Sequence, residues 1–290
     1  MDDAIQELIY AAYGAEARLQ RPGCCVRYWL RGDETTKPVV MFLHGAGVDH
    51  RMWASQIDAF APQYRVLTLD LRGHGQSRPA GHYSFDAVVE DCFALLDRLN
   101  VERAFVIGLS MGGNVAQEMA FKRPERIAAM ICLDCTCNTL APWADRTLVP
   151  LYRAVFGPMM ALYPTNALLD QIGRGSSLRA GGQRYLREAS AQLSKTELTT
   201  VMKSLLATLH HEPNYKATIP ELLMHGSDDR LGNIRKIMPI WHRRDLNSEF
   251  VVIPNASHCA NVDNPQAFNR TALEWLDRVA RTPVPETRGA

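Results

Sequence analysis

The chain has 290 residues, with 32 Lys+Arg against 31 Asp+Glu (net charge +1), 47% hydrophobic residues and 22% charged residues. That is a globular mixture with enough chain for one large core and an appended subdomain, which excludes a disordered or fibrous design. With no surplus of Lys/Arg to cluster, a nucleic-acid or anionic-membrane surface is not expected, and no segment reaches the ~18 consecutive apolar residues of a bilayer span.

The chain opens on Met1-Asp2-Asp3, acidic where a secretory leader is basic. Apolar residues at Ile5, Leu8, Ile9 and Ala12 give Asp2 to Tyr13 a helical period. Ala15–Gln20 and Cys24–Leu30 flank Arg21-Pro22-Gly23 as a hairpin. Short apolar runs follow: Val39–Leu43, Val66–Leu71, Ala104–Ile107, Ile127–Leu133, Leu222–Met224 and Phe250–Ile253. Such runs suit parallel strands buried on both faces. Helical patterns lie between them, with Phe85–Leu99 after a Ser84 N-cap and Met111–Phe121 stopping before Pro124. The alternation predicts an α/β fold with a mostly parallel central sheet flanked by helices.

From Asn138 to Pro220 the alternation breaks. That interval holds helical stretches, including one opened by the capping box Ser194-Lys195-Thr196-Glu197. We expect a helical cap at 138–218, inserted before the penultimate strand, with the body made of 1–137 and 219–290. A cap there covers the carboxyl edge of the sheet, where open α/β folds bind ligands. The last dozen residues read as a loose tail.

Seven scattered cysteines fit buried thiols in a reducing cytoplasm better than a disulfide framework. Cys132-x-x-Cys135-x-Cys137 continues an apolar run and has no second ligand pair spaced to complete four-coordination, so no metal is expected there.

Gly108-Leu109-Ser110-Met111-Gly112 stands directly between a strand and a helix, the setting of a nucleophile elbow. The sharp turn lifts the Ser110 hydroxyl clear of the sheet at a helix N-terminus, whose amides favour developing negative charge. A serine needs a base oriented by a carboxylate. His258 lies on the loop after the last apolar run, and Asp228 and Asp229 follow the run before it. Asp134, ending an earlier run, is a third candidate acid. His44, His74 and His225 are read as structural, hydrogen-bonded histidines. For the oxyanion, one backbone N–H comes from Met111 and a second from the loop His44-Gly45-Ala46-Gly47, with Ala46 as donor. The loop is not a dinucleotide fingerprint, because position 50 is His rather than Gly.

Taken with Asp70-Leu71-Arg72-Gly73-His74-Gly75-Gln76-Ser77, Gly226-Ser227-Asp228-Asp229 and Ser257-His258, these motifs resemble the α/β-hydrolase superfamily across nearly the whole chain. Val40 to Arg126 is most similar to bacterial lactonases and esterases of the 3-oxoadipate enol-lactonase type. The resemblance implies Asp229 over Asp228 as the acid, and Ala46 and Met111 as the oxyanion donors. It departs at Ala256-Ser257-His258, where relatives more often have glycine before the histidine, and in the Asp2–Tyr13 extension. It implies a serine esterase or lactonase without metal or organic cofactor, acting on a small to medium apolar acyl ester or lactone. A carbon–carbon bond hydrolase or cofactor-free perhydrolase would use the same triad, and a non-enzymatic receptor is the remaining class. Trp143, Tyr152, Phe156, Met159, Met160 and Tyr163 are read first as packing the cap onto the body, with the cap arginines solvated; the sharper alternative has them line an apolar pocket, with a cap arginine to meet a substrate carboxylate. Cys259, beside His258, is expected to make activity sensitive to bulky thiol reagents.

Overall fold

The computed structural model describes residues 13–32, 34–140, 143–212 and 214–281. The predicted helix over Asp2–Tyr13 (except Tyr13 itself) and the C-terminal tail lie outside these residues. Eight strands are present: β1 Ala15–Arg21, β2 Cys24–Arg31, β3 Val39–Leu43, β4 Arg65–Leu69, β5 Ala104–Leu109, β6 Ile127–Leu133, β7 Glu221–Gly226 and β8 Ser248–Ile253. They form one sheet in the order β1-β2-β4-β3-β5-β6-β7-β8, antiparallel where β2 meets β1 and β4 and parallel elsewhere.

The helices are α1 Ala54–Phe60, α2 Phe85–Arg98, α3 Met111–Lys122, α4 Trp143–Leu162, α5 Thr165–Ser176, α6 Ala180–Ser190, α7 Lys195–Ala207, α8 Ile234–Arg244, α9 Ala260–Asp263 and α10 Pro265–Arg281. Ser84 caps α2 by accepting the Ala87 N–H, and Ser194 with Glu197 forms the predicted capping box on α7.

The apolar runs are continuous because both sheet faces are covered. On β3, Val39, Met41 and Leu43 pack into one core with α2, α3 and α8, while Val40 and Phe42 pack into the opposite core with α1 and α10. The chain passes from β3 to β4 on one side and then to β5 on the other. The two connections diverge at the carboxyl ends of β3 and β5, where Leu43 and Gly108 are paired neighbours, the position at which open α/β sheets take their ligands. Four helices, α4 to α7, fill the interval between β6 and β7. Among the described residues of that interval there is no strand, only a bridge between Leu140 and His211.

Candidate active site

β5 ends at Leu109 and α3 begins at Met111, so Ser110 alone makes the turn. It does so at φ 53° and ψ −121°, a left-handed conformation that L-residues resist, held by its N–H donating to Leu133 O at 2.9 Å. The turn closes because Gly112 has no side chain: a Cβ there would lie 2.0 Å from the Leu43 carbonyl oxygen. The 44–47 loop lies against the same turn, since a Cβ on Gly45 would be 3.5 Å from Ser110 Cβ. Met111, fully buried, begins α3, whose first N–H groups have no intrahelical partner.

Two loops along the sheet edge, β7 delivers Asp229 and β8 delivers His258. A Cβ on Gly226 would sit 2.2 Å from the Ser257 carbonyl oxygen, so only glycine lets these loops touch. Ser227 N–H donates to Ile253 O at 2.9 Å and Asp228 N–H to Ala256 O at 2.8 Å. His258 Nδ1 lies 3.2 Å from Asp229 Oδ2, and Asp229 Oδ1 accepts the Leu231 N–H at 2.8 Å. Burial alone would push the Asp229 carboxyl up. The hydrogen bond and charge of His258, the Leu231 amide and a hydrogen bond from Asp134 outweigh it and hold Asp229 below the usual carboxylate range. Asp228 is exposed, with Ser227 Oγ donating to it at 2.7 Å.

Asp134 ends β6 at φ 45° and is fully buried. Its Oδ1 accepts the Gly226 N–H at 2.7 Å and its Oδ2 the Ala260 N–H at 3.3 Å. Burial, and then the charge of Asp229, push its carboxyl well above the ordinary value.

His44 is structural, with Nδ1 donating to Gly45 O at 2.7 Å and Nε2 accepting the Leu71 N–H at 2.9 Å. His225 donates from Nδ1 to Gly226 O at 2.8 Å. His74 departs from the expectation of a satisfied histidine. Its Nδ1 meets Arg72 O at 3.0 Å, but its Nε2 is buried without a partner. Burial pulls that imidazole down to about 3, so it stays neutral.

Two groups among the described residues bring carboxylate and imidazole atoms within 4.8 Å of one another, Asp134/Asp229/His258 and Asp49/His50/Asp70. In both, the oxygens are already committed to internal donors. In the second, Asp70 takes His50 N–H, His50 Nδ1 and the Gln76 N–H, while Asp49 takes a bidentate Arg51.

Of the cap arginines, Arg174 and Arg184 are exposed, Arg187 pairs with Asp170, Arg179 donates to Asp263 O at 3.1 Å, and the side chains of Arg146 and Arg153 lie outside the described residues. Phe156 and Met160 are buried against Leu198 of α7, and Met159 and Tyr163 are exposed. The side chains of Trp143 and Tyr152 lie outside the described residues. Cys259 is only 2% exposed, and burial pushes its thiol well up, so thiol reagents have no reactive thiolate to find.

The sequence reading missed the ties between the helical insert and the site. Asp263 accepts Ser177 Oγ at 2.5 Å, the Leu178 N–H at 3.0 Å and the Ser257 N–H at 2.8 Å, joining the end of α5 to the His258 loop. Cys259 N–H donates to Ser176 O at 2.8 Å. Tyr185 of α6 puts its hydroxyl 3.1 Å from Asp49 O, just beyond the 44–47 loop. Nothing in the spacing of Tyr185 or Asp263 announces these roles.

The model of the alpha/beta hydrolase family matches residues 40–271. The chain is 27% identical over 253 residues to 3-oxoadipate enol-lactonase 1 of Acinetobacter baylyi, covering 86% of this chain and 91% of that one. It is 28% identical over 243 residues to a pimeloyl-[acyl-carrier protein] methyl ester esterase of Aeromonas hydrophila, covering 80% and 92%. Among solved structures, the enol-lactonase from Burkholderia xenovorans superposes with a TM-score of 0.76 at 24% identity, covering 90% of this chain and 100% of that one. A thermophilic esterase from Thermogutta terrifontis gives 0.76 at 22% identity, covering 92% and 99%. At these identities the structural likeness concerns the fold. No helix among the described residues is long and apolar enough to cross a membrane.

Proposed function

We infer that this chain, which belongs to the alpha/beta hydrolase family, is a serine hydrolase cleaving a carboxylic ester or lactone of small to medium apolar acyl character. The observation that carries this reading is the 3.2 Å contact between His258 Nδ1 and Asp229 Oδ2, at the same sheet edge where Ser110 tops α3 in a strained elbow. With Asp229 ionised, Nδ1 keeps its proton and Nε2 is left as the base. The relatives named an enol-lactonase and a methyl ester esterase support an ester or lactone as the bond broken.

His258 takes the Ser110 proton as Oγ attacks the carbonyl carbon, and the backbone N–H groups of Ala46 and Met111 receive the oxyanion. The carbon–oxygen bond then breaks, and His258 returns the proton to the leaving alkoxide. Water attacks the acyl-serine with the same histidine as base, releasing the acid and restoring Ser110. No step draws on a metal or organic cofactor. Residues 138–218 act as the cap that selects the acyl group, and 1–137 with 219–290 form the catalytic body. All seven cysteines are free, which suits a reducing cytoplasm.

Ser110→Ala tests the assignment. It should fold with an unchanged circular-dichroism spectrum and lose turnover of short p-nitrophenyl esters by about 10⁴-fold or more. Retained turnover removes Ser110 from the role, and the triad with it.

A further inference from the structure

We propose that Asp134 is a positioning residue that carries a proton at neutral pH and donates it as a hydrogen bond to Asp229, fixing the anion that orients His258. This rests on the triad reading above and adds a fourth member to it.

The geometry starts from a count of charges. Asp134, Asp229 and His258 are all buried, and their ligand atoms lie within 4.8 Å of one another. Two buried carboxylates this close cannot both be ionised beside one imidazole without a large desolvation and repulsion penalty, so one proton is held between them. The titratable groups facing Asp134 among the described residues are Asp229 from the loop after β7 and His258 and Cys259 from the loop after β8.

The partners decide which acid keeps the proton. Asp229 has the imidazole and the Leu231 amide to stabilise its charge. Asp134 has two backbone amides, at 2.7 and 3.3 Å, and is completely enclosed. The position itself is costly: φ 45° on an aspartate is a strained conformation. Of the four non-glycine residues with positive φ among the described residues, three (Ser110, Asp134 and Asn255) follow β5, β6 and β8. Asp134 thus shares the backbone signature of the nucleophile turn, and its side chain staples the segments that carry the acid and the base, accepting from Gly226 on one and Ala260 on the other.

Asp134→Asn and Asp134→Ala separate this from its rivals. Asparagine tolerates positive φ, offers an N–H donor to Asp229 and keeps an oxygen for the Gly226 amide, so it reproduces a neutral acid but not an anion. Asp134→Ala should lower kcat about tenfold with little change in KM, and Asp134→Asn should recover most of that loss. The acidic limb of kcat/KM should stay in place in Asp134→Asn. A limb displaced to lower pH by about one unit would mean that a negative charge had been removed, which overturns the proposal. So would a loss in Asp134→Asn as deep as that in Asp229→Asn. Infrared spectroscopy gives a readout independent of turnover: in a Glu221→Gln background, which removes the other buried acid of raised value, a carboxylic-acid carbonyl band present at pH 7 should vanish on adding Asp134→Asn, and its persistence, or its absence before that change, refutes the proton. Recording the pair in a Ser110→Ala background keeps the two claims apart, because the band reports Asp134 whether or not Ser110 is the nucleophile.

Discussion

The sheet edge and the helical insert solve opposite problems. At the edge, backbone rests on backbone: the close approaches at Gly112 and Gly226 leave no room for a methyl group, and strands β3, β5 and β6 are almost wholly buried. Besides the Cys259–Ser176 backbone bond, the insert is joined to the body by side chains, through Tyr185, Ser177 with Asp263, and a half-buried Arg78–Glu197 pair. Its helix α4 leaves Leu162 87% and Leu151 61% exposed. Atoms that must meet within about half an ångström sit on the rigid edge, and the surface free to vary with the ligand sits on the looser one.

The largest test of that contrast is Gly112→Ala. With its Cβ 2.0 Å from a carbonyl oxygen, neither helix nor strand can yield cheaply, and we expect a loss of about 4 kcal/mol or no folded protein, read by thermal unfolding. Asp263→Ala should be milder. Losing three hydrogen bonds to one buried carboxylate costs about 2–3 kcal/mol, and limited proteolysis should then cut within 143–207 while the remainder resists. Equal susceptibility of both parts would show that insert and body open as one unit.

Glu221→Gln sharpens the comparison from inside the body. Glu221 begins β7 at 2% exposure, its Oε2 has no partner, and burial followed by the charge of Asp245 raises it to about 8. For an acid with a raised folded value, the penalty is absent below the unfolded value near ~4.3 and grows as pH climbs towards the folded one. Relative to wild type, glutamine should therefore gain little at about pH 4 and on the order of 4 kcal/mol by about pH 8, by denaturant unfolding. A gain independent of pH would refute the charge as its cause.

Which features the sequence made legible follows from how local each one is. The elbow at Ser110 and the apolar runs can be read because their physics fits within five or six neighbouring residues. Asp229 and Asp228 are adjacent in a loop, so spacing left both open, and the resemblance chose the one that is buried against His258. Asp134 was visible as a candidate acid, but its protonation depends on three loops that only the fold brings together. Cys259 misled because being next to His258 in sequence does not give access to it.

The joint at Asp263 also couples the insert to the base. Ser176, Ser177 and Leu178 are fastened to the very segment that carries Ser257, His258 and Cys259. A displacement of the insert on this side would pull on the imidazole's own backbone, so whatever steadies the one steadies the other.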